Sequence, residues 1–377
     1  MKTPLNSPLA SAALAGLLMA CGSAQSQSQP QQPSPMPPTN SLVIYGTIDA
    51  GVTSRQLAGE GKVRSVNSGL MTTSFLGVKG SQDLGDGYSG NFDLASFVRA
   101  DVGGSGRSDS DMFWSKNAWV GMGTPWGQVR LGRQSSPNFI ASLRFSPYGD
   151  STALGPYLMH TYMPAPTQPM LTAHGATDSA WNNAVAYIAP AVSGVTVSLM
   201  AAPSEGGTAG RRLAGTVSYG APGQPFAAVL STERISSAAV LTPTRSTALP
   251  GALPPLAIND SQTLALGASY DFKVAKLFGQ WDHTQIDATR AAAKPEVDLK
   301  TLQLGVSVPM GRGRVLLSAA RTAKAMTAVV DEQRKTWSLG YDHELSRSTD
   351  VYAVVMRDQV SALPTGHTFA LGARVRF

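Results

Sequence analysis

The sequence predicts an all-β fold, a transmembrane antiparallel β-barrel of about sixteen strands. The first argument lies in the last nine residues. Phe369, Leu371, Ala373, Val375 and Phe377 alternate with Ala370, Gly372, Arg374 and Arg376, so a strand here shows one apolar face and one small or charged face. Soluble sheets alternate too, but their chains seldom stop on an aromatic residue at the end of a strand. Beside lipid, with the free carboxylate at the water boundary, such an end makes physical sense. The second argument is the recurrence of this pattern along the chain. The third is an alternation of short and long connections.

Composition agrees with this fold. The chain has 377 residues with 38 Gly and one Cys, which suits a glycine-rich β protein and excludes a disulfide scaffold. No stretch after residue 24 approaches the roughly 20 apolar residues of a spanning helix, whereas alternating strands average to a neutral hydropathy. The net charge of +6 comes from singly scattered basic residues, an arrangement that argues against a nucleic-acid partner.

The N-terminus reads as an export signal over residues 1–24: Lys2, an apolar run over 9–20, then the small residues Gly22-Ser23-Ala24. Leu18-Met19-Ala20-Cys21 offers a rival lipobox in which Cys21 is lipidated. Residues 25–40 are Gln, Ser and Pro with nothing to bury, a linker. The barrel is expected over 41–377.

Strand by strand, Leu42, Ile44, Ile48 and Val52 face away from Tyr45, Thr47 and Asp49. Apolar segments follow near 70–81, 89–100, 112–122, 127–134, 181–190, 195–202, 211–220 and 226–234. Leu264, Leu266, Tyr270 and Phe272 oppose Gly267, Ser269 and Asp271 within 260–271 and the segment at 274–284 that follows. Leu302, Leu304, Val306 and Val308 oppose Gln303, Gly305 and Ser307 in 298–308. Further segments lie at 313–323, 333–342 (Trp337, Leu339, Tyr341), 349–358 and 366–377. Short connections at 82–87, 123–127, 189–194, 309–313 and 343–348 alternate with long ones at 53–69, 135–180, 235–259 and 285–297. Tight turns on one rim and long loops on the other are the habit of outer-membrane barrels. Trp114, Trp119, Trp126, Tyr270, Trp281, Trp337, Tyr341 and Phe377 fall near strand ends and are expected in interfacial girdles.

These stretches resemble the general porins of Gram-negative outer membranes, trimeric sixteen-stranded barrels. The resemblance rests on Tyr45-Gly-Thr-Ile-Asp49-Ala-Gly51, on Leu76-Gly-Val-Lys-Gly-Ser-Gln-Asp-Leu-Gly-Asp-Gly87, on Ala118-Trp-Val-Gly121 and on Trp126-Gly-Gln-Val-Arg-Leu-Gly-Arg-Gln134. Asn182-Asn183-Ala-Val-Ala-Tyr187, Tyr270-Asp271, Tyr341-Asp342 with Leu345-Ser-Arg347, and Gly372-Ala-Arg-Val-Arg-Phe377 complete it in order. It implies passive diffusion of ions and small hydrophilic solutes, with no cofactor. The implied partners are outer-membrane lipid, two further copies in a homotrimer, and the barrel assembly machinery, with Phe377 as the assembly signal. It also implies that the third outer loop, 135–180, folds into the lumen and narrows it.

For the lumen, Arg130 lies between Val129 and Leu131 and so faces inward if they face lipid; Lys79 is placed inward by the same reasoning. Lys116 and Arg133 match positions where the resembled family carries basic residues near the constriction. Asp49 and Asp93 on the wall, and Asp150 with Arg144 in the loop, are the expected opposing charges. The chain departs from its relatives at Phe75, Ala95 and Ala180, where they usually carry charge; Phe75 is expected to narrow the pore or make it less hydrophilic. The remaining Lys and Arg predict a weak anion preference. No nucleophile or metal motif surrounds His160, His174, His283, His343 or His367, so no catalysis is expected. Two rival readings remain: a substrate-specific channel with Tyr148, Tyr157 and Tyr162 lining a track, and a structural or adhesive surface barrel.

Overall fold

The computed structural model describes residues 40–163, 178–204, 210–241, 256–289, 294–326 and 329–377. The proposed export signal, lipobox and most of the linker lie outside the described residues. Along the chain the elements are β1 (Ser41–Arg55), β2 (Val63–Ser68), β3 (Phe75–Gly85), β4 (Tyr88–Arg99), β5 (Gly104–Ser105), β6 (Asn117–Thr124) and β7 (Gly127–Ser135). Two helices follow, α1 (Pro137–Arg144) and α2 (Pro156–Thr161). Then come β8 (Ala180–Ile188), β9 (Val195–Ala202), β10 (Arg212–Tyr219), β11 (Phe226–Leu241), β12 (Leu256–Asp271) and β13 (Lys276–Thr289). The last five are β14 (Glu296–Met310), β15 (Gly313–Met326), β16 (Val329–Glu344), β17 (Thr349–Val360) and β18 (Gly366–Arg376).

Apart from β2 and β5, which are short additions at the long-loop rim, these are sixteen antiparallel strands in one closed ring. The seam is β1 against β18, with Gly51 opposite Gly372. Phe377 finishes the seam: its amide donates to Gly46 O (3.1 Å) and its carbonyl accepts from Gly46 N (2.9 Å). A Cβ on Gly46 would sit 2.8 Å from the Phe377 ring, so this glycine makes room for the terminal aromatic.

The alternation read from the sequence is realised as two faces. On β13, Leu277 and Trp281 point outward, while Lys276, Gln280, Asp282 and Thr284 are buried on the inner side. A ring of this strand number is wide enough to leave an aqueous channel. Two short turns show local chemistry choosing the fold: Asp86-Gly87 and Ser193-Gly194 both have positive φ, the two-residue hairpin geometry that follows the strand twist. The short-turn rim also carries an outward aromatic girdle of Trp126, Tyr187, Tyr219, Tyr270, Phe272 and Tyr341.

Three sequence expectations need correction. Trp119 is not in a girdle; it is 6% exposed on the inner face. The connections expected at 235–259 and 285–297 are shorter, because β11 to β14 continue past the apolar segments and keep pairing, Leu241 with Leu256 and Asp287 with Glu296. Above the membrane both faces of a strand meet water, so the apolar stripe that marked its end in the sequence ends before the strand does. The segment expected to open a strand at residue 70 is folded back, and β3 begins at Phe75.

Candidate functional site

The inner wall is built by strand phase. On β1, β3, β4 and β6 the inward set includes Tyr45, Phe75, Lys79, Asp93 and Trp119; on β7 it includes Gln128 and Arg130. Each inward cation of this sector lies on an aromatic ring. Lys79 Nζ is 4.8 Å from the Tyr45 centroid, Lys116 Nζ is 4.5 Å from Phe75 and 5.2 Å from Phe97, and the Arg130 guanidinium is 4.2 Å from Trp119. Such stacking positions a cation without neutralising it. Arg130 also donates to Gln128 Oε1 at 2.9 and 2.6 Å, another neutral partner. Asp93 is the carboxylate among them, and it accepts from Tyr45 Oη (2.6 Å) and Asn117 Nδ2 (2.9 Å). Phe75 therefore acts here as a platform for Lys116, edge-on to Tyr45 at 5.6 Å.

Asp49, expected as a lumen carboxylate, is fully buried. It accepts from the backbone N–H groups of Leu70 (3.1 Å), Met71 (2.9 Å) and Thr72 (2.9 Å) and from Tyr352 Oη (2.6 Å). It pins the folded-back segment before β3 to the wall instead of facing the channel. That segment in turn holds the long loop: Ser151 Oγ donates to Leu70 O (2.6 Å) and Thr72 Oγ1 donates to Asp150 Oδ1 (2.9 Å). Arg374 donates to the same threonine hydroxyl at 2.8 Å, which brings Asp150 near Arg374.

Arg133 is also placed differently. It is in phase with outward Val129 and Leu131, opposite Ala118 on β6. Its guanidinium donates to Ser115 O (2.8 and 2.6 Å), Asn182 Oδ1 (2.7 Å) and Asp178. It clamps the bases of two long loops at the rim. Burial would raise the Asp178 carboxyl, but hydrogen bonding and charge from Arg107, joined by the charge of Arg133, outweigh it and hold that carboxyl below its usual range.

Residues 136–163 lie against inward-facing groups of the wall. Ser136 caps α1 by accepting from Phe139 N at 3.2 Å, with Pro137 at the first helical position. The helix carries Arg144 toward the short-turn rim, beside Gly220. Beyond it, inward glycines on alternate strands receive the chain: a Cβ on Gly267 would meet Phe145 at 2.7 Å, one on Gly305 would meet Pro147 at 2.5 Å, and one on Gly340 would meet Tyr148 Oη at 3.0 Å. On α2, His160 bridges Thr322 (2.8 Å) and Thr336 (2.7 Å), and Ser338 donates to Leu154 O (2.7 Å). Tyr148 and Tyr157 are each 2% exposed, their hydroxyls bound to Leu316 O and Asp282. They pack the loop on the wall, while Tyr162, the third tyrosine of the loop, is half-buried and accepts from Asn138 Nδ2 at 3.5 Å.

Sequence reasoning missed a second basic group. Arg374 and Arg376 on β18 and Arg314 on β15 surround Asp342 and Asp350, with contacts of 2.6 to 3.2 Å. The signal was present: Arg374 and Arg376 sit on the polar face of the terminal strand, opposite its apolar stripe.

A closed barrel of this size, with a polar inner wall and an apolar outer band, defines a membrane channel. The model of the Gram-negative porin family matches residues 10–363, and the chain belongs to that family. Outer membrane porin protein 32 of Delftia acidovorans is 28% identical over 349 residues, 89% of this chain and 85% of that protein. An outer membrane porin of Bordetella pertussis is 24% identical over 404 residues, covering 92% of each chain. Among solved structures, an anion-selective porin from Comamonas acidovorans superposes with a TM-score of 0.71 at 24% identity, over 90% of this chain and all of that one. The protein is an outer-membrane porin, a β-barrel channel for passive diffusion.

Proposed function

We propose that this porin favours small hydrophilic anions, that residues 136–163 form its constriction, and that it works as a homotrimer rather than as an enzyme. The observation that carries the selectivity is the sector of Lys79, Lys116 and Arg130, each backed by an aromatic ring, around the wall carboxylate Asp93, already bound by Tyr45 and Asn117, with Asp150 of the loop also near Lys116. Aromatic faces hold the cations in place and leave their charge to the permeating solute. In a narrow channel with low-dielectric walls that charge is felt more strongly than in bulk water. Beside this sector, across β1, Arg314, Arg374 and Arg376 are answered by Asp342 and Asp350 and, through Thr72, by Asp150, so that cluster adds no formal excess of charge. The relative described as anion-selective supports the same sign.

Liposome swelling tests this reading. Purified protein in vesicles should admit a small monocarboxylate faster than a neutral solute of equal size, and that faster than a matched organic cation. Equal rates for all three would overturn the anion preference while leaving a diffusion pore.

A further inference from the structure

Across the ring from the stacked sector, a second pair of cations faces the lumen. Lys276 opens β13 on the inner face and is 7% exposed. Its ammonium lies 5.2 Å from the centroid of the Phe278 ring. Arg144 ends α1 with its guanidinium 5.8 Å from the Phe145 ring, near enough for its charge to act on Lys276. Among the described residues neither side chain makes a hydrogen bond or an ion pair. Asp271 is the acid whose charge reaches Lys276, and it is turned into the hairpin, accepting from Lys273 N at 2.7 Å. Directly across the strand pair from Lys276 stands Ser307 of β14. It is 2% exposed, and its hydroxyl is buried without a hydrogen-bond partner, a costly state unless a ligand or water meets it. The Lys276 ammonium, by contrast, is not closed off from the lumen.

We propose that Lys276, Arg144 and Ser307 form a binding station for a tetrahedral oxyanion, either inorganic phosphate or the phosphate of a small ester. This deepens the anion-favouring reading of the pore and rests on it. The station has a defined height. Pro147 of the loop lies over Gly305, and Ser307 is two residues nearer the short-turn rim, about 7 Å at the rise of a strand. An ion held there sits just past the loop on the short-turn side. The donor set favours a tetrahedral ligand. A guanidinium, an ammonium and a hydroxyl come from three separate elements, with no acceptor bound to them. A carboxylate offers two oxygens in one plane, which a single guanidinium fork satisfies. The oxygens of a phosphate point to several sides, so one ion can meet all three groups. Partial exclusion of water behind the loop strengthens such bonds.

Planar-bilayer recordings in chloride test the station, with inorganic phosphate or malonate, a dicarboxylate of similar charge, added to the bath. Phosphate should reduce the chloride current saturably and at a lower concentration than malonate. Lys276→Gln should raise the half-blocking phosphate concentration about tenfold, the effect of losing one charge-assisted hydrogen bond. Lys276→Arg should keep the block. Ser307→Ala removes a hydroxyl that has no partner in the protein, so it should raise that concentration about threefold and leave heat-dependent gel mobility unchanged. That variant carries the test if Lys276→Gln does not fold. Equal block by phosphate and malonate would overturn the station, as would a block unchanged in both variants. Block lost in K79Q/K116Q/R130Q but kept in Lys276→Gln would also overturn it, by assigning phosphate to the stacked sector. A wild type that favours chloride yet shows no phosphate block overturns this inference alone. One that favours potassium overturns the reading on which it rests.

Discussion

Asp49 shows what one residue can decide in this barrel. Its carboxylate gathers three backbone N–H groups and a tyrosine hydroxyl, and through Leu70 and Thr72 it braces the long loop. Asp49→Ala would strand those buried donors, each costing about 1–3 kcal/mol. We expect a loss of about 3 kcal/mol or more in urea unfolding, with new proteolytic cleavage near residues 70–74; an unchanged midpoint would contradict this role. The inward direction of Asp49 was legible from alternation, but its burial was not, since that depends on a chain reversal between β2 and β3. Arg130 was legible from Val129 and Leu131. Alternation does not carry on to Arg133 in the same way, because the β7–β8 pairing shifts between Gly132 and Gln134 and its guanidinium is taken up by Ser115 O, Asn182 and Asp178.

Among the elements, the strands were the most legible because each crosses lipid and must keep an apolar stripe while it does so. All sixteen segments read from the sequence correspond to barrel strands, and the segment at 195–202 matches β9 end to end. The helices α1 and α2 were not legible, because a loop lying on a polar wall needs no continuous amphipathic period. Its path is instead written in the strands, as inward Gly267, Gly305 and Gly340 beneath Phe145, Pro147 and Tyr148. Gly305→Val would overpack this contact, at a cost of about 1–3 kcal/mol, and should push the loop off the wall. Single-channel recordings should then show a changed and noisier conductance with the barrel intact. Recordings identical to wild type would mean that the loop is held elsewhere.

For the whole molecule, the sequence made the membrane barrel and its porin family legible, whereas the distribution of charge around the lumen depended on which ionised groups find partners. Asp49, Arg133, Arg334 and Asp358 are consumed in buried contacts, while Lys79, Lys116 and Arg130 rest on aromatic rings. A sequence cannot show that difference, because each ring and its cation come from different strands: Tyr45 from β1, Lys79 from β3, Trp119 from β6 and Arg130 from β7. The central claim is that these stacked cations give the diffusion pore its sign. The reversal potential across a salt gradient in planar bilayers, compared between wild type and K79Q/K116Q/R130Q, tests it most directly. The account predicts a chloride-favouring potential for wild type that falls close to zero or turns cation-favouring in the triple variant. A wild-type potential that favours potassium, or a chloride preference undiminished by the three substitutions, would contradict it.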